Sequence, residues 1–173
     1  GVGKSHWLVA MGCEAMLHGK NVVHYTFELS ETAVGKRYDA NLVGVNSNSI
    51  VENSELIRSH YAKNQDLGKL VIKEYPTRSC SVMMIRNHID KLKLRGFIPS
   101  LIIIDYADIM KSSKSYESIR HELMLVYEEL RQLSQDFNLP IWTASQTNRG
   151  GLNAEVITME SISEAFNKCF VAD

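Results

Sequence analysis

The sequence predicts an α/β protein: a mainly parallel central sheet covered by helices on both faces, in three layers. Three observations carry that prediction. Short β-branched or apolar runs recur at 21–27, 69–75, 100–105 and 139–145. Longer segments with helical spacing lie between them, and Gly, Pro or Ser marks most junctions. Strand–helix alternation of this kind needs crossover connections, which favour parallel pairing.

Residues 4–18 are apolar on almost every side, as in a helix buried within a larger body, with Gly19 as its stop. "NVVHYTF" (21–27) reads as a buried strand. Ser30 is a candidate N-cap for the helix that follows. Residues 48–65 read as a polar surface helix. "KLVIKEY" (69–75) is the next strand, ended by Pro76. Val82, Ile85, Ile89 and Leu92 form one helical stripe. "SLIIID" (100–105) is a continuous apolar run, expected of a strand covered on both faces. Ile119, Leu123, Val126, Leu130 and Leu133 form a second stripe, and "LPIWTAS" (139–145) a further buried strand.

A length of 173 residues suits one domain spanning 1–173 that buries roughly 70% of its unfolded surface. No apolar run reaches the ~18–20 residues of a membrane span, and "GVGKSHWLVAMG" lacks the features of a signal peptide. Cys13, Cys80 and Cys169 are odd in number and far apart, so reduced core thiols in a cytoplasmic protein are expected. The six histidines show no metal-ligand spacing. A net charge of −1 excludes a globally basic nucleic-acid binder but leaves room for local basic patches.

In a parallel sheet, ligands gather at the carboxyl ends of the strands. There the predicted strands deliver Glu28, Asp105 and Gln146, and the first helix adds Lys4 and Ser5 at its amino end. An ammonium, a hydroxyl, two carboxylates and a carboxamide on one rim suit nucleoside triphosphate hydrolysis. Gly3-Lys4-Ser5 can close a phosphate-binding loop, with Gly1 and Val2 beside it and helix-start N–H groups cradling phosphates. Lys4 would neutralise β/γ-phosphate charge, Ser5 and Asp105 would hold Mg²⁺, Glu28 would orient the attacking water, and Gln146 would sense the γ-phosphate. Each has a plainer reading: an Asp ending a strand can start a turn, and a first-turn Glu can complement a helix dipole.

"GKS", "YTFELSE", "LIIIDYADIM" and "PIWTASQTNRGG" resemble, in order and rough spacing, the RecA-like motor domain of DnaB-family replicative helicases. "VIKEYPT" and "MESISEAFNKCFVAD" look most like the hexameric helicases of tailed phages. The resemblance implies a RecA-like P-loop NTPase fold, with Gly1, Val2, Gly3, Lys4 and Ser5 in the phosphate loop. It makes Glu28 the catalytic glutamate, Asp105 the Walker B acid and Gln146 the γ-phosphate sensor. It also implies ATP and Mg²⁺, a homo-hexamer with ATP between subunits, single-stranded DNA in the ring, and primase and a helicase loader as partners. The first P-loop glycine and its strand, and the arginine finger, are expected outside residues 1–173. A chain cut there is expected to have impaired activity.

Two segments could bring DNA to a protein of net charge −1. "KSSKSYESIR" (111–120) carries Lys111, Lys114 and Arg120 against Glu117. "TNRGGLNAE" (147–155) carries Arg149 and Gly150, where backbone N–H groups can approach a phosphate. Arg37 is read as a helix-surface charge, Tyr106 as a residue that packs or stacks near the site and His24 as a core histidine. Two other functions share these residues: a RecA/clock-type ATPase that does not unwind DNA, and a non-catalytic assembly module.

Overall fold

The computed structural model of the protein describes residues 3–146 and 171. Helix α1 (Lys4–Leu17) starts from Gly3, whose φ of 78° lies in the left-handed region that favours glycine. It ends at Gly19, also left-handed, with the Lys20 N–H turned back to the Ala15 carbonyl at 3.0 Å. The all-round apolar pattern does not mean all-round burial here. Leu8, Val9, Gly12, Cys13 and Met16 are buried, whereas Trp7 and Leu17 are exposed.

Strand β1 (Val22–Thr26) is buried throughout. Helix α2 (Glu31–Val43) begins as expected at Ser30, whose hydroxyl accepts the Ala33 N–H at 3.2 Å. The expected polar helix over 48–65 is shorter: a 3₁₀ turn (Ser47–Ser49) precedes helix α3 (Ser54–Lys63), which buries only Ile57. Asn46 accounts for the difference, since its side chain accepts the Asn48 N–H and caps a separate turn. Strand β2 (Leu70–Glu74) follows, then helix α4 (Val82–Leu94), which buries the predicted stripe Val82, Ile85, Ile89 and Leu92.

Strand β3 (Leu101–Asp105) is fully buried, and a 3₁₀ turn (Ala107–Ile109) leaves it. Helix α5 (Ile119–Phe137) buries Leu123, Val126, Leu130 and Leu133 of its stripe but leaves Ile119 half exposed in the first turn. Tyr127, outside the stripe, is buried in its place. Strand β4 (Ile141–Thr143) corrects the sequence most: it has three residues rather than seven, and Trp142 is exposed. Its one partner among the described residues is β3, so only one edge is hydrogen-bonded.

The described sheet has the order β2-β1-β3-β4, with every pair parallel. Thr26 lies opposite both Glu74 and Asp105, and Ile104 opposite Thr143, so the carboxyl ends are level. At the other end Asn21 joins three strands: it accepts the Lys69 N–H through its side chain and the Ser100 N–H through its carbonyl. Alternation along the strands separates two cores. Val22, Leu101 and Ile103 pack with α1 and α2, whereas Val23, Tyr25, Ile102 and Ile104 pack with α4 and α5. His24, Thr26 and Asp105 therefore share the α1–α2 side. Among the described residues, no helix is long and apolar enough to cross a membrane.

His24 is wholly buried, with Nδ1 3.0 Å from the Tyr38 hydroxyl and no partner for Nε2 among the described residues. Burial, with help from the Arg37 charge, lowers its pKa from 6.5 to about 4. The folded protein keeps the ring neutral where the unfolded chain takes up a proton. Stability from this group is therefore complete above pH 6.5 and lost as pH falls toward 4, by roughly 3 kcal/mol in all. Urea unfolding between pH 7.5 and 4 should show a shallower pH dependence in His24→Gln than in the parent protein. Equal slopes would contradict the assignment. Burial also pushes the Cys13 and Cys80 thiols up to about 12, which leaves both as protonated core groups.

Candidate functional site

The level strand ends place their outgoing turns side by side. The turn after β1 is held by Thr26, whose hydroxyl donates to the Leu29 carbonyl at 2.9 Å and accepts the Leu29 N–H at 3.2 Å. Thr77 donates to the Phe27 carbonyl at 3.1 Å from the side. Glu28 stands exposed at the tip of this fixed turn. Asp105 ends β3 almost fully buried, and the Phe27 N–H donates to its carbonyl at 3.1 Å.

Ser5, in the first turn of α1, faces the Asp105 carboxylate closely enough for its hydroxyl to favour the charged acid. Lys4, Glu28 and Arg37 all act electrostatically on the same carboxylate. Burial raises its pKa most, Glu28 raises it further, and the Ser5 hydroxyl and the two cations oppose the rise. A buried acid in this position gains from a further positive charge. No side chain caps the amino end of α1, so its first N–H groups are not engaged by a cap.

Tyr106 sits at the centre of the rim with 5% of its surface exposed. The Lys4 ammonium lies 4.4 Å from its ring centroid. Its hydroxyl accepts the Gln146 side-chain amide at 2.6 Å, and the Glu28 carboxylate acts on it. Burial, then the Glu28 charge, pushes its pKa up to about 12. Asp108 secures the end of β4: its carboxylate accepts the Ser145 hydroxyl at 2.8 Å and the Gln146 N–H at 3.2 Å. The Tyr127 hydroxyl donates to it at 2.7 Å.

Of the residues expected at the rim, Gly3, Lys4, Ser5, Glu28, Asp105 and Gln146 thus converge, although they are up to 143 positions apart. Gly1, Val2, Arg149 and Gly150 lie outside the described residues. Lys111 and Lys114 are exposed on the segment that follows Ala107–Ile109. That segment folds against α5, with the Tyr116 N–H on Glu122 at 3.1 Å and the Ser113 hydroxyl on Glu129.

One residue departs from its expectation. Arg37 is no plain surface charge: it is half-buried and acts on both Asp105 and His24. Tyr106 packs at the site with a cation on its ring, as expected, and its hydroxyl adds the bond from Gln146. The signal for Tyr106 was its place directly after the strand-ending acid. For Arg37 no pattern in the sequence separates it from its neighbour Lys36. Among the described residues, no cluster of three or more His, Cys, Asp or Glu could hold a metal ion. Mg²⁺ sites built from one or two protein oxygens plus substrate phosphates need no such cluster.

By fold, a parallel sheet between two helical layers with these residues at its carboxyl edge is a RecA-like ATPase domain. Comparisons with known proteins are more specific. Residues 1–155 match the DnaB-like helicase C terminal domain family, and the chain belongs to that family. It is 29% identical over 186 residues to the DnaB-like replicative helicase of Enterobacteria phage T4, covering 99% of this chain and 38% of that protein. A probable replicative DNA helicase of Trieres chinensis is 32% identical over 74 residues, 42% of this chain and 16% of the relative. The chain thus spans well under half the length of these relatives.

Solved structures agree on the fold. An ATPase domain superposes with a TM-score of 0.82 at 15% identity, covering 99% of this chain and 63% of the other. A DnaB-like replicative helicase solved for its interactions with primase gives 0.82 at 14% identity, covering all of this chain and 43% of the other.

Proposed function

We propose that this chain is the ATP-hydrolysing motor of a replicative DNA helicase, which moves along single-stranded DNA and separates the duplex ahead of it. The observation that carries the proposal is the convergence on Asp105: Ser5, Lys4 and Glu28 all act on its carboxylate, the Lys4 ammonium lies 4.4 Å from the ring centroid of adjacent Tyr106, and Asp105 ends β3 level with Thr26 at the end of β1. That set fits a triphosphate with a hard divalent cation, since the oxygens of Ser5 and Asp105 are Mg²⁺-type ligands and a cation would relieve the buried carboxyl. When bound, Mg²⁺ neutralises charge on the terminal phosphates.

The protein's own groups then divide the work. The first N–H groups of α1, with Gly1, Val2 and Gly3, receive phosphate oxygens, and the Lys4 ammonium binds the β/γ-phosphates. Glu28, exposed on its fixed turn, orients and deprotonates the attacking water. Gln146 contacts the γ-phosphate and registers its loss. Lys111, Lys114, Arg149 and Gly150 contact the DNA backbone. A ring of six copies, with ATP between neighbours, lets so few cations per chain suffice. Primase and a helicase loader are the expected protein partners, and the cytoplasm of a bacterial or phage-infected cell is the expected setting.

Glu28→Gln in the intact protein tests this reading. Nucleotide binding should persist while turnover falls about 100-fold, and unwinding of a forked duplex should stop with it. Turnover at the parent rate would overturn the hydrolytic role. Hydrolysis by the parent protein without forked-duplex unwinding would instead identify an ATPase that is not a helicase.

A further inference from the structure

We propose that Tyr106 is a positioning residue of the candidate ATP site: its ring seats the Lys4 ammonium, and its hydroxyl links Glu28 to Gln146. The inference rests on the ATPase reading above and adds to it a residue that the strand-end pattern did not single out. Four observations support it. The side chain is buried at the centre of the rim. The Lys4 Nζ stands 4.4 Å from the ring centroid. The Gln146 amide donates to the hydroxyl oxygen at 2.6 Å. The Glu28 carboxylate acts on the same hydroxyl and raises its pKa.

A phenol has a single proton to give. The oxygen accepts from the Gln146 amide, so that proton is left to face the Glu28 carboxylate, which acts on the phenol. A directed chain results, from the amide at the end of β4 through Tyr106 to the acid at the end of β1. It passes beside Asp105, where β3 lies between those two strands. Ring and hydroxyl therefore serve different residues. A phenylalanine would keep the Lys4 seat and lose the link, and a leucine would lose both.

The backbone around the link is held independently. The Ala107 N–H donates to the Thr143 hydroxyl at 3.0 Å, and Asp108 accepts from Ser145 and from the Gln146 N–H. Removing the Tyr106 oxygen therefore leaves both strand ends fastened. It frees only the Gln146 carboxamide and the Glu28 carboxylate to rotate. The Gln146 amide has two oxygens to choose between, the Tyr106 hydroxyl and a terminal phosphate. An exchange between them would report phosphate occupancy at the end of β4.

The test is steady-state ATP hydrolysis by the intact protein, with thermal melts as a control for folding. Tyr106→Phe should leave KM within about 2-fold and lower kcat about 10-fold, the split expected when an interaction orders the reacting groups without holding substrate. Tyr106→Leu should lower kcat equally and also raise KM several-fold, because Lys4 loses its seat. Tyr106→Phe added to Glu28→Gln should lower kcat no further than Glu28→Gln alone, since the hydroxyl acts through that acid. Parent kcat in Tyr106→Phe, a rise in KM with unchanged kcat, or additive losses in the double variant would each overturn the assignment. If Glu28→Gln itself turned over normally, the role of Glu28 would fail and the link with it, whereas absence of hydrolysis in the parent protein would remove the ATPase reading. Loss in Glu28→Gln beside a normal Tyr106→Phe would remove only the role of Tyr106.

Discussion

Replacing Lys4 with alanine should abolish nucleotide handling at two stages, with affinity down about 100-fold and turnover down a further 10²–10³-fold or so. The reason is the placement of the ammonium. It stands 4.4 Å from the Tyr106 ring centroid and within electrostatic reach of Asp105, next to the N–H groups at the start of α1. A cation on an aromatic face is not locked in an ion pair, so it can meet a triphosphate while the ring still steadies its position. Once there, it opposes charge that builds up during transfer. Arginine should not substitute, because its planar fork is bulkier and seats differently on the ring. Binding of a fluorescent ATP analogue, followed by phosphate release, measures both stages. Affinity within about 3-fold of the parent in Lys4→Ala would contradict the placement.

The second large effect concerns folding. Gly68→Ala should destabilise the protein by at least about 3 kcal/mol, or some 10 °C in melting temperature for a chain of this size. A β-carbon at residue 68 would stand 2.0 Å from the Lys20 carbonyl oxygen and 2.5 Å from its carbon. Both are backbone atoms. They belong to the turn that leads from α1 into β1, and the Gly68 N–H itself donates to the Met16 carbonyl at 2.8 Å. Relief would require β1 and β2 to part at the Val22–Leu70 pair. Gly12→Ala makes a useful comparison. Its β-carbon would meet the Tyr38 hydroxyl at 2.1 Å, but a side chain can swing aside at the cost of its bond to His24. Calorimetry should therefore rank Gly68→Ala below Gly12→Ala, and the reverse order would show that the α1–β2 contact yields easily.

How far the fold could be read ahead followed from where side chains end up. The stripe Val82, Ile85, Ile89, Leu92 and the run Leu101–Ile104 are buried as expected, because a regular period admits one solution. The same logic found Ser30 as a cap. It failed at β4, where "LPIWTAS" carries the apolar signal of a long strand but pairs over only Ile141–Thr143. It also overstated the burial of α1. An apolar residue records what could be covered, and a neighbouring element decides whether it is.

The candidate site was legible to the extent that topology predicts it. Glu28, Asp105 and Gln146 were found because a parallel sheet aligns its strand ends, and Lys4 and Ser5 because the first helix must open on the same edge. Their roles remain part of the proposal. Tyr106, Arg37 and Asp108 were not legible in the same way. Nothing in the order of residues states that one phenol will meet a lysine 102 positions before it and a glutamine 40 positions after it.

Periodicity, caps and breakers were enough to establish the alternation of strands and helices, and the motif order pointed to the helicase family. Both are local or linear properties, written in spacing along the chain. The distances that make a site out of scattered residues came only with the tertiary structure. They depend on the register of three parallel strands and on the close passage of α1 over the sheet, which couple positions far apart in sequence.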